Sequence, residues 1–78
     1  NVAYALGNSS APAAALPAVE RLLTDASPLV RGAAVWALSQ LAPGEAARRG
    51  SPADEPDADV RLEWANAVTG PSATDTAD

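Results

Sequence analysis

The chain has no cysteine and no histidine among its 78 residues, and methionine and phenylalanine are missing too. Each absence removes a class of chemistry. Without cysteine there is no disulfide to brace a small fold, no thiolate for zinc or an iron–sulfur cluster, and no thiol nucleophile. Without histidine the commonest general base at neutral pH is gone. No run reaches the ~20 consecutive apolar residues of a membrane-spanning helix, and the N-terminus lacks the basic head of a signal peptide. These exclusions argue against an autonomous enzyme and point to a cytoplasmic chain with no membrane partner. The start at Asn1, inside an apolar helical pattern, reads as a piece of a longer protein.

Charge is present but unevenly spread. All five cationic residues are arginines, and the net charge is −5. Residues 1–53 carry four arginines against three acids, whereas residues 54–78 carry seven acids against Arg61 alone. The first part is therefore close to neutral, and the acidity belongs to the second. With so few residues, the chain makes one small domain that buries only about 60% of its unfolded surface, so support from neighbouring structure is expected.

What the sequence does have is alanine at helical spacing, punctuated by proline and glycine. NVAYALGN (1–8) reads as the last turns of a truncated helix, with Gly7 where a left-handed C-terminal residue belongs. Pro12 opens a second helix whose stripe is Leu16, Val19, Leu22 and Leu23; Pro17 inside it predicts either a kink near Ala13 or a late start close to Leu16. Ser27 as N-cap and Pro28 as first residue predict a third helix to about Leu41 or Ala42, with Val30, Ala33, Ala34, Ala37, Leu38 and Leu41 facing inward. A two-turn helix follows over 43–50. Asp57 then caps a last helix carrying Val60, Trp64, Ala67 and Val68, which Gly70-Pro71 ends.

An internal repeat is the strongest signal. AYAL at 3–6 matches VWAL at 35–38, and VRGAAVWAL at 30–38 matches VRLEWANAV at 60–68, a period of about 30 residues. The turns align as well, Asp25-Ala26-Ser27 with Glu55-Pro56-Asp57. Paired short helices at that period predict an all-α fold, a short α-solenoid of helical hairpins with about five helices, over residues 1–69. Residues 70–78 are expected to form a disordered acidic tail.

The stretch LPAVERLLTDASPLVRGAAVWALSQL resembles a HEAT-type repeat: a first helix ending in Leu-Leu, an aspartate in the turn, then Val-Arg and an alanine-rich helix. In that family the arginine after the valine hydrogen-bonds near the turn, so the resemblance assigns this role to Arg31 and Arg61, with Asp25 as local partner. Residues 1 to about 42 further resemble the C-terminal end of bacterial epoxyqueuosine reductases. Asn1, Leu6, Gly7 and Asn8 carry the first part, and Leu22, Leu23, Asp25, Pro28, Val30, Arg31, Ala37 and Leu38 the second. The resemblance implies a parent oxidoreductase of queuosine biosynthesis with two four-iron four-sulfur clusters and cobalamin. Those groups belong upstream, and no catalytic, cofactor-binding or metal-binding residue carries over to this chain.

Two functions follow. In the first, the piece packs on the catalytic domains of its parent and helps to position tRNA, through phosphate contacts from Arg21, Arg31, Arg48 and Arg49. In the second, it is a protein–protein interaction scaffold of another multidomain protein, with Tyr4 and Trp36, at equivalent repeat positions, packing between domains. The acids Asp54, Glu55, Asp57 and Asp59 gather near one turn, but their spacing is not that of a calcium loop, and a solvated turn with an N-cap is the expectation there.

Overall fold

The computed structural model describes residues 2–8 and 10–76, the side chains at 2, 4, 12 and 68–76 excepted. Proline sets the helix starts. Pro12, Pro28 and Pro43 each stand at the beginning of a helix, where a missing N–H costs nothing and φ is already helical. The elements are α1 (Val2–Gly7), α2 (Pro12–Leu22), α3 (Pro28–Leu41), α4 (Pro43–Arg49) and α5 (Ala58–Thr76).

The ends are fixed by local hydrogen bonds. Ser27, with extended backbone, accepts the Val30 amide on its Oγ at 3.4 Å, and Asp57 Oδ1 accepts the Val60 amide at 3.0 Å. These are the expected caps of α3 and α5. One residue, Ala42, separates α3 from α4: its amide bonds Leu38 O at 2.8 Å and its carbonyl accepts the Glu45 amide at 2.9 Å. Gly50 ends α4 at φ 67°, the left-handed region open to glycine, with its amide on Ala46 O at 3.0 Å. Pro17 neither delays α2 nor splits it. It lies on the exposed face, as does Ala13, whose carbonyl loses its amide partner where water can replace it.

The helices stack in a line. Among the described residues, α3 packs against all four others, α1 otherwise only against α2, and α5 otherwise only against α4, with no packing between α1 and α5. α1, α3 and α5 therefore form one row, α2 lies against α1 and α3, and α4 lies against α3 and α5. Neighbour-only packing of this kind is the solenoid arrangement that the period of about 30 predicts.

The core runs along α3. Ala34, Ala37 and Leu38 are fully buried together with Val19 of α2, Ala46 of α4 and Val60 of α5. Val35, which the stripe on α3 omits, is buried as well, because α3 packs on four helices and its buried surface is wider than one stripe. Gly7 has a different task from the expected one. It is helical rather than left-handed, and a Cβ there would collide with the Trp36 ring edge and come within 3.1 Å of Ala37 Cα. Its missing side chain is what lets α1 lie against α3.

α5 also departs from the pattern. Its backbone is helical to Thr76, through Gly70 and Pro71, where the sequence places the helix end and the start of a disordered tail. Proline in that position withholds a donor from the Ala67 carbonyl and leaves the hydrogen-bond ladder one rung short. Ala77 and Asp78 lie outside the described residues.

Two glycines on the helices therefore respond oppositely to alanine. Gly7→Ala forces ring and backbone apart and is expected to lower stability by about 1–3 kcal/mol. Gly32→Ala adds a methyl 4.0 Å from Val60 Cγ2, an ordinary contact, and is expected to raise it by about 0.5–1 kcal/mol. Urea unfolding of both variants checks the pair.

Candidate functional site

The α2–α3 turn and the loop before α5 meet at Arg31. Its guanidinium forks onto one carboxylate, Nε to Glu55 Oε1 and Nη2 to Glu55 Oε2, both at 2.9 Å. Nη1 turns the other way, to the Asp25 carbonyl at 2.9 Å and the Ala26 carbonyl at 3.1 Å. Glu55 Oε2 accepts in addition the Asp57 amide at 2.9 Å, and the Glu55 carbonyl accepts Arg61 Nη1 at 2.8 Å. A bidentate charge-assisted pair of this geometry is among the stronger polar contacts a protein makes. Glu55 is the buried charged residue among those described, and no buried side-chain polar atom among them lacks a partner.

The two turns share two of their hydrogen bonds. Asp25 Oδ2 accepts the Ser27 amide at 2.9 Å, as Glu55 Oε2 accepts that of Asp57. Arg31 Nη1 reaches the Asp25 carbonyl, as Arg61 Nη1 reaches that of Glu55. The expected role of both arginines beside their own turns is what the geometry shows. Asp25 is the local partner, as expected, but through its carbonyl; the carboxylate comes from Glu55 in the following hairpin. An acid 24 positions away has no local signal, but the alignment of Asp25 with Glu55 places it in the next turn of the stack.

A second network ties α4 to α2. Arg49 reaches Glu20 of α2 and, with Nε, Glu45 Oε2 at 3.0 Å; Arg48 pairs with Glu45 as well. Of the four arginines proposed for phosphate contact, Arg31, Arg48 and Arg49 thus each hold a carboxylate, and Arg21 is exposed with no carboxylate among its described contacts. Trp36 is half-buried against the core with its ring edge on Gly7, so it fills the seam between α1 and α3. The Tyr4 side chain lies outside the described residues.

The electrostatics are those of structural pairs. The hydrogen bonds from Arg31, then the Asp57 amide, hold the Glu55 carboxyl below the usual glutamate range, and Glu55 in turn raises Arg31 above the usual arginine value. Arg49 and then Arg48 lower Glu45 in the same way, and Glu20 followed by Glu45 raises Arg49. Carboxylates held ionised by a guanidinium are poor proton acceptors, so neither pair is poised for acid–base work. In the acidic turn, Glu55 is taken by Arg31 and Asp57 by its cap, and no three acids among the described residues converge on a cation position.

The pH dependence follows in sign. A depressed folded-state pKa adds stability that is present above the unfolded value, about 4.3, and is lost as pH falls through the folded one. Urea midpoints are therefore expected to stay level from pH 8 to 5, since no histidine or cysteine titrates there, and to fall below about pH 4.3. Glu55→Gln flattens that acid limb and lowers the midpoint at pH 7 more than Glu45→Gln, whose Arg48 partner is largely exposed.

The family model of the HEAT repeat matches residues 15–44, which span most of α2, the Asp25 turn and α3. No curated protein and no solved structure matches the chain. The match carries the helical repeat and does not extend to a reductase. It coincides with the first of two hairpins that share one turn geometry, and the chain is an all-α helical-repeat structure.

Proposed function

We propose that this chain is a non-catalytic helical-repeat module that works by presenting surface to other protein. The observation that carries the reading is the use of its polar groups. Arginine and acid side chains close turns and tie one helix to the next, and among the described residues α1 packs only on α2 and α3, and α5 only on α3 and α4. Large apolar side chains stand exposed on it at Leu29 and Leu62. No helix among the described residues is long and apolar enough to cross a membrane.

The resemblance of residues 1–42 to the end of epoxyqueuosine reductases supplies one setting for such a module, packed on the catalytic domains of a tRNA-modifying parent. Clusters and cobalamin there would be held by the parent's other domains, because cysteine and histidine are missing from this chain. The geometry favours protein over tRNA as the contact. Three of the four candidate arginines are already neutralised, which weakens any attraction to phosphate.

A photo-crosslinking residue at Leu29, with Ala47 on α4 as the control position, tests the reading in cells. The expected result is a discrete adduct at Leu29 that survives ribonuclease: intramolecular if the module packs on its own parent, intermolecular if it is a scaffold. Ribonuclease-sensitive adducts, or equal labelling at both positions, contradict it.

A further inference from the structure

Arg31 and Arg61 occupy equivalent places and share one hydrogen bond, but not the rest of their partners. Both donate Nη1 to the carbonyl six residues back, at 2.9 and 2.8 Å. Arg31 spends its remaining donors, Nε and Nη2, on the carboxylate of the following hairpin. Arg61 is exposed, and its contacts among the described residues include no carboxylate. The residue after each arginine repeats the contrast. Gly32 of α3 lies against Val60 of α5, the nearest side-chain atom being 4.0 Å from where a Cβ would stand. Its equivalent Leu62 is 59% exposed.

We propose that the exposed face of α5 around Arg61 and Leu62 is a docking surface for a further helical hairpin, one that brings a turn carboxylate to Arg61 and a small residue to Leu62. The proposal rests on the module reading and names its partner's chemistry. The hairpin α4–α5 docked on α3 is the template. Its Glu55 meets the Arg31 fork, and its Val60 meets the space left by Gly32. On α5 the fork is repeated and the space is not, because Leu62 adds four carbons where α3 has none. A hairpin with valine at that position would collide, whereas alanine or glycine leaves room. Charge complementarity thus fixes where the partner's turn lies, and volume fixes which residue follows it.

The test duplicates residues 42–71 in tandem between Pro71 and Ser72 of the full chain, with Val60→Ala in the second copy. Proteins are compared by circular dichroism and by thermal and urea unfolding. The expected result is added helix, a higher Tm than the 78-residue chain, and coupling between Arg61→Gln and Glu55→Gln of the second copy worth about fivefold or more in the unfolding equilibrium constant. Restoring Val60 in the second copy is expected to lower the Tm. Absence of coupling in a duplicated chain that has gained helix overturns the proposal, and so does a duplication that gains none. Sedimentation of the 78-residue chain supplies the other arm: a dimer abolished by Leu62→Asp assigns the face to a second copy instead. The crosslink at Leu29 does not involve α5, so failure here and failure of the module reading are told apart.

Discussion

The fold hangs on one guanidinium shared between two turns. Arg31 belongs to the first turn of α3, closes the turn behind it through two carbonyls, and grips the carboxylate of Glu55 in the loop that leads into α5. Glu55 in turn orders that loop by accepting the Asp57 amide, and Asp57 caps α5. The start of one helix and the start of another, far apart in sequence, are thereby set by one side chain. A chain with no disulfide and a small core needs such a tie more than a larger domain does.

Packing serves the same end by a different means. Alanine and glycine in α1 and α3 bring those helices close enough for the Trp36 ring to rest on Gly7, and α3 supplies most of the buried core where it meets the four helices it touches. Since α1 and α5 do not meet among the described residues, whatever they gain from each other passes through α3. The Arg49 links to Glu20 and Glu45 join the other row, α2 to α4, at a largely exposed place where ion pairs contribute little.

Much of this was legible in the residues. Proline at the helix starts, Ser27 and Asp57 as caps, the period of about 30 and the turn role of Arg31 all express local chemistry or its repetition, and each stands where the pattern predicts. The carboxylate partner of Arg31 was not, because a pairing between hairpins depends on how they stack, and Asp25 was the nearer acid. Gly7 misled for a related reason: glycine after a helical run signals a left-handed end, but here a ring from another helix claims the space. Val35 escaped the stripe because a stripe presumes one buried face. The course of α5 past Gly70-Pro71 is written in no propensity rule, and nothing described around it explains it.

Native-state hydrogen exchange of Arg31→Ala against the unchanged chain tests the shared tie most directly. If one guanidinium sets both helix starts, the amides of Asp57 and Val60 lose protection together with that of Val30, while those in the middle of α3 keep theirs relative to global unfolding. Unchanged protection at Asp57 and Val60, with loss confined to the α2–α3 turn, would contradict the account.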